Sequence, residues 1–186
     1  TTEDIVKVFH WAREIGHDHI NMDLIVGLPG EHTADVSKTI GEIKKLNPDS
    51  ITVHTMAIKR ASRLKESLEE YTLTKADEIE EMIAITNQGA RDMGMEPYYL
   101  YRQKNMLGNF ENVGYSKPEK ESIYNVEIME EKQIILALGA GAITKVVDQV
   151  TNKIERIPNV KNVEEYINRI EEMILRKKNG LFKLSP

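Results

Sequence analysis

The sequence contains no cysteine. These 186 residues therefore carry no disulfide and no thiolate metal site, and an iron–sulfur cluster would find no ligands among them. Long apolar runs are also missing: none approaches the ~20 residues that cross a bilayer, so no membrane partner is expected and a cytoplasmic location is. Charge of one sign is lacking too. The 25 basic and 30 acidic residues are spread along the chain and leave a net charge of −5, without the basic stripe that follows phosphates. Nucleic acid is not expected as a partner. What is present, a 40 % hydrophobic content, is enough to bury the core of one ordinary domain, or of a partial domain with an appendage.

The pattern starts at once. Thr2 can cap a helix in which Ile5, Val8, Ala12 and Ile15 recur at helical spacing, ended by Gly16. A chain that opens in mid-pattern leads us to expect residues upstream, with a compact start as the alternative. Residues 19–26 then alternate, with Ile20, Met22, Leu24 and Val26 on one face and Asn21, Asp23 and Ile25 on the other. This is a strand. Gly27-Leu28-Pro29-Gly30 breaks it, Thr33 can cap a helix with the stripe Val36, Ile40, Ile43 and Leu46, and Asn47-Pro48-Asp49 leads into a second strand at 51–57.

Strand, helix, strand with short connections implies parallel strands joined by a right-handed crossover, in an open sheet or a barrel. A charged connection follows at 59–71, then a long helix from a cap at Thr74 to about Met93. Strands are expected at 96–103, 121–126, 132–138 and 142–147, with a Thr151-Asn152 hairpin into 153–157, as a small antiparallel sheet. A last helix, capped by Asn162 and stopped by Asn179-Gly180, offers Val163, Tyr166, Ile167, Ile170, Met173 and Ile174 as a core stripe.

Asp23 is the residue that calls for chemistry. Its parity sets it opposite the apolar face, near the C-terminal end of a parallel strand, where ligands of α/β folds bind. A carboxylate there can accept two hydroxyl hydrogen bonds from a ribose; the alternative is a structural Asp paired with an Arg or Lys. Gly27 and Gly30 bracket Pro29 in a turn that lets backbone approach a ligand. His54 shares Asp23's face or is a hydrogen-bonded packing residue. The run Tyr98-Tyr99-Leu100-Tyr101-Arg102 suits a planar anionic ligand or is an ordinary aromatic strand whose Tyr98 and Tyr99 point to opposite faces. Gly139-Ala140-Gly141 reads as packing ahead of a phosphate cradle. The remaining histidines show no metal-ligand spacing.

Asn21-Met22-Asp23-Leu24-Ile25-Val26-Gly27-Leu28-Pro29-Gly30-Glu31 resembles the fifth strand and following turn of radical S-adenosylmethionine barrels, in the spelling of the oxygen-independent coproporphyrinogen III oxidase branch. Leu46-Asn47-Pro48-Asp49-Ser50-Ile51, Asn109-Phe110-Glu111-Asn112-Val113-Gly114-Tyr115 and Leu138-Gly139-Ala140-Gly141-Ala142 extend the resemblance, most closely to the bacterial coproporphyrinogen dehydrogenase-like subgroup. It implies an α/β fold: the C-terminal part of a partial (β/α) barrel over 1–72, then a family-specific α+β region over 73–186. It implies that Asp23 holds the ribose of S-adenosylmethionine, that Ile25 and Ala57 contact adenine, and that Gly27 belongs to the same cofactor-binding element.

The resemblance further implies oxidative decarboxylation of coproporphyrinogen III to protoporphyrinogen IX, with S-adenosylmethionine and a [4Fe–4S] cluster as cofactors of a longer parent. The partners it implies are a missing N-terminal half of the same protein and the tetrapyrrole substrate. The 186 residues alone are expected to be inactive, to hold neither cofactor tightly and to self-associate through exposed strand edges. A haem-carrying chaperone of the same wider family is the alternative, and an RNA-modifying radical methylthio- or methyltransferase the third reading.

Overall fold

The backbone of Asn21–Val26 is extended because its alternation gives one face to a core and the other to polar side chains; it forms β1. The computed structural model describes residues 1–57, 72–101, 110–148 and 150–182. Two compact units emerge, Thr1–Ser122 and Ile123–Pro186. The boundary read from the change of pattern, at 72/73, falls inside the first.

In the first unit, helix α1 (Thr2–Glu14) is capped by Thr1, whose hydroxyl accepts the Asp4 N–H at 3.2 Å. Thr2 is the first helical residue and not the cap. Phe9 is buried, whereas Ile5, Val8 and Ile15 are exposed, so the expected stripe is not what α1 buries here. Arg13 anchors the helix through Asp49, at 2.6 Å.

After β1, helix α2 (Thr33–Leu46) begins behind His32 rather than Thr33, with the Asp35 carboxylate accepting the His32 N–H at 3.0 Å. Asn47 closes it in the left-handed conformation, φ 53°. Strand β2 (Ser50–Thr55) then pairs in parallel with β1, setting Asp23 beside Thr52 and Ile25 beside His54. Helix α3 (Ala76–Asp92) starts after Lys75; the expected cap, Thr74, instead donates its hydroxyl to the Leu28 carbonyl at 3.0 Å. Val36, Ile40 and Ile43 of α2 and Met82 of α3 join Leu24, Val26, Ile51 and Val53 in the core.

The sheet does not end at β2. Strand β3 (Glu96–Tyr101) and strand β4 (Asn112–Ser116) complete it in the order β1-β2-β4-β3, with β4 antiparallel to both neighbours. The strand expected at 96–103 thus belongs to the first sheet and not to a separate small one. The charged connection at 59–71 and Arg102 lie outside the described residues. A register shift between Pro97 and Tyr99 brings the Tyr98 and Tyr99 rings within 4.8 Å, edge to face, so they are not on opposite sides.

In the second unit, strands β5 (Ile143–Val147) and β6 (Ile154–Pro158) form the expected hairpin, turned through Asn152 at φ 54°. The strand expected at 121–126 is instead helix α4 (Ile123–Glu130), and that at 132–138 makes a single bridge, Ile135 to Lys145. Among the described residues neither segment has a ladder partner along its length, and in the first a helix satisfies the backbone groups without one. The last helix is split into α5 (Val163–Asn168) and α6 (Ile170–Phe182).

Of the stripe expected to be core, Met173 is buried while Val163 and Ile167 are exposed. Gly180 does not stop the helix: it lies against Ile157, whose Cδ1 would be 2.0 Å from an added β-carbon. The Gly139 N–H donates to the Tyr166 hydroxyl and the Gly141 N–H to the Val160 carbonyl, so this turn spends its donors on packing. Among the described residues no helix is long and apolar enough to cross a membrane.

Candidate functional site

Opposite α2 and α3, the sheet turns a polar face outward. Asn21, Asp23 and Ile25 of β1 lie beside Thr52 and His54 of β2, and beyond them Asn112, Gly114, Tyr99 and Tyr101 complete the surface. A cleft of about 430 Å³ opens at one end of this face, lined by Asp23, Ile25, His54, Thr55, Met56, Ala57 and Asn112. Four residues singled out in the sequence, Asp23, Ile25, His54 and Ala57, therefore share one cleft. Its volume falls within the roughly 300–1,000 Å³ of small-molecule sites.

The Asp23 side chain is 64 % exposed, which leaves its carboxylate open to a ligand. Its Oδ1 accepts from the Asn21 amide at 2.6 Å, and its Oδ2 stands 3.7 Å from His54 Nε2. Neither Arg nor Lys is its partner among the described residues. The Tyr101 hydroxyl lies 3.3 Å from His54 Nδ1, and the Thr52 hydroxyl donates to the Asn21 side-chain Oδ1 at 3.3 Å. Burial pushes the Tyr99 phenol above its ordinary pKa, so it is neutral near neutral pH. Asn112 is almost fully buried and its Oδ1 accepts the Thr55 N–H at 2.9 Å, holding the end of β2 at the cleft.

Gly27 is placed differently. It does not line the cleft; at φ +81°, a β-carbon there would stand 3.2 Å from Ile79 of α3. The Glu31 carboxylate accepts the Gly27 N–H at 2.8 Å and the Leu28 N–H at 3.1 Å with the same Oε2. The turn is thus closed by an acidic side chain, and its first N–H groups are already engaged. Glu31 and Asn112 were not singled out for a role from sequence. The spacing of Glu31 from Gly27 inside the motif is the available signal for the first; for Asn112 it is only its place in the 109–115 run that extends the family resemblance.

The remaining histidines do not assemble a metal site, and no cluster of three or more His, Asp or Glu converges among the described residues. His32 is paired with Glu78 at 2.9 Å, and the hydrogen bond and charge of Glu78 raise its pKa.

No family model matches the chain. Over 171 residues, 92 % of its length, the chain is 44 % identical to the oxygen-independent coproporphyrinogen-III oxidase-like protein HemZ of Bacillus subtilis, of which it covers 34 %. The chain belongs to the oxygen-independent coproporphyrinogen III oxidase family. The oxygen-independent coproporphyrinogen III oxidase of Synechocystis is 26 % identical over 97 % of the chain and 37 % of that relative. The solved coproporphyrinogen III oxidase HemN of Escherichia coli, described as a radical SAM enzyme, superposes with a TM-score of 0.64 at 19 % identity. That superposition covers 92 % of this chain and 38 % of the HemN chain, and at this identity it speaks to the fold alone. The chain spans about a third of the length of the curated relatives it matches.

Proposed function

We propose that this chain forms the nucleoside-binding wall of a radical S-adenosylmethionine oxidoreductase that decarboxylates coproporphyrinogen III to protoporphyrinogen IX in haem biosynthesis. The observation that carries the reading is the convergence of Asp23, Ile25 and Ala57 on one cleft in a chain of this family. The donor set fits an adenosine. Asp23 accepts the two ribose hydroxyls, and Ile25 and Ala57 offer apolar contact to the base. Gly27 and Glu31 support this wall from behind through the turn they close. Asp23 binds and orients and is not an acid or base of the reaction.

The set does not fit an iron–sulfur cluster, since the 186 residues contain no thiolate. In this reading the cluster is held by cysteines elsewhere in a longer cytoplasmic protein, and together with the sulfonium it supplies the radical chemistry. Residues 1–72 then form the last part of a barrel, and 73–186 its family-specific extension. The edge of β1 supports the same picture: among the described strands only β2 pairs with it, and a groove of about 430 Å³ lined by Ile5, Val6, Met22 and Ile43 runs along that edge. We assign this edge to the N-terminal half of the protein, and to a second copy when that half is absent.

The test is anaerobic turnover by the full-length protein. Production of protoporphyrinogen with release of deoxyadenosine, lost in Asp23→Ala together with affinity for S-adenosylhomocysteine, is the expected result. Tight binding and transfer of haem without turnover would overturn it.

A further inference from the structure

The polar face holds a continuous line of side chains that the nucleoside reading does not use. It starts at Gly114, where the absence of a side chain lets the Tyr99 ring lie across β4. Tyr99 and Tyr101 stack with their rings 6.2 Å apart and 4° from parallel. Tyr101 then meets His54 twice, ring edge to ring face at 6.3 Å and hydroxyl to Nδ1 at 3.3 Å. His54 ends the line with Nε2 turned toward Asp23 Oδ2.

The partner of one imidazole nitrogen decides what the other can do. With the Tyr101 hydroxyl donating to Nδ1, a neutral His54 carries its proton on Nε2 and aims it at Asp23. A carboxylate offers about four lone-pair positions. The Asn21 amide takes one on Oδ1, and His54 faces Oδ2. One acceptor position then remains free on each oxygen, which is the pair that a vicinal diol requires. The 3.7 Å separation is longer than a hydrogen bond, and contacts of this kind tighten when a ligand arrives.

We infer that His54, backed by Tyr101, is a positioning residue that orients the Asp23 carboxylate for the 2′,3′-diol of an adenosine ligand. The inference rests on the nucleoside reading of the cleft and adds to it the residue that sets its selectivity for a diol. A histidine serving only as packing would stabilise the fold without distinguishing one ligand from another. His54 is also placed for the task, because the parallel register puts it opposite Ile25 and one step diagonally from Asp23.

The experiment compares S-adenosylhomocysteine with its 2′,3′-dideoxy analogue on the full-length protein by titration calorimetry. Wild type is expected to prefer the diol by on the order of 100-fold, since the analogue would cover the Asp23 carboxylate without supplying it hydrogen bonds. His54→Phe is expected to weaken the diol about tenfold, the size of one hydrogen bond to a charged group, with the dideoxy Kd unchanged. His54→Gln, which keeps a donor, restores most of the loss, and Tyr101→Phe weakens the diol in the same direction by less. Equal weakening of both ligands by His54→Phe, or a diol preference left at its full wild-type size, would overturn the inference and leave the nucleoside reading standing. A wild-type protein with no diol preference would overturn both.

Discussion

Gly114 of β4 and Tyr99 of β3 occupy the same space across their strand pair: a β-carbon on Gly114 would sit 1.9 Å from the Tyr99 ring. Glycine in a strand is ordinarily a weakness, since it adds backbone entropy and packs nothing. Here it makes room for the ring that supports Tyr101. Gly114→Ala is therefore expected to destabilise the protein by about 1–3 kcal/mol through overpacking. Combining it with Tyr99→Ala should cost less than the sum of the two changes, as read by urea denaturation. Additive losses would show that the ring is not what the new methyl group meets.

Gly89 of α3 faces Ile40 of α2, and a β-carbon on Gly89 would lie 2.3 Å from Ile40 Cγ2. Helix propensity favours Ala over Gly by about 1 kcal/mol. Packing decides against it. Gly89→Ala is expected to lower the unfolding midpoint, and Ile40→Ala should couple with it in a double-mutant cycle. A stabilised Gly89→Ala protein would mean that the helices part without penalty.

The turn after β1 is closed by one carboxylate oxygen on two backbone donors. Removing it in Glu31→Ala leaves the Gly27 and Leu28 N–H groups to water and should cost about 1–3 kcal/mol. Glu31→Gln keeps an acceptor and should cost less. Hydrogen exchange at these two amides is the direct measure: it should accelerate in Glu31→Ala and only slightly in Glu31→Gln.

The Arg13–Asp49 contact ties α1 to the start of β2 and gives a pH dependence with a definite sign. Burial alone would raise the Asp49 pKa. The Ile20 N–H, the Arg13 guanidinium and the charge of Lys117 together outweigh it and hold the pKa below the ordinary carboxylate value. A depressed native pKa means that the unfolded chain binds the proton first as pH falls. The stabilisation is thus fully present above the ordinary carboxylate range and is lost as pH drops through that range toward the lower native value. Asp49→Asn should remove this part of the acid-induced loss, followed as unfolding midpoint against pH; an unchanged acid limb would contradict it.

Much of this was legible along the chain, and the divide between what was and was not is physical. Alternation in 19–26 placed Asn21, Asp23 and Ile25 on one face, because side-chain parity along a strand is a local property. The stripe Val36, Ile40 and Ile43, the parallel pairing of β1 with β2, and the family resemblance in residues 21–31 were equally local and were found in the structure or its relatives. Strand β4 was not legible. Its Asn112 and Gly114 are poor strand formers, and its conformation is imposed by β2 and β3 on either side. The same holds for Tyr98 beside Tyr99, which a bulge brings together against simple alternation.

The sequence by itself determined the β1–α2–β2 unit and the residues that face away from its core, since both follow from periods of two or of about 3.6 within a single segment, and the spelling of residues 21–31 pointed to the family by resemblance. Only the tertiary structure decided that His54 turns toward Asp23, that Tyr101 stands behind His54, and that Gly27 packs on Ile79 outside the cleft. The first two depend on the register between strands distant in the chain and the third on how a helix packs on the sheet, and both are properties of the assembled fold.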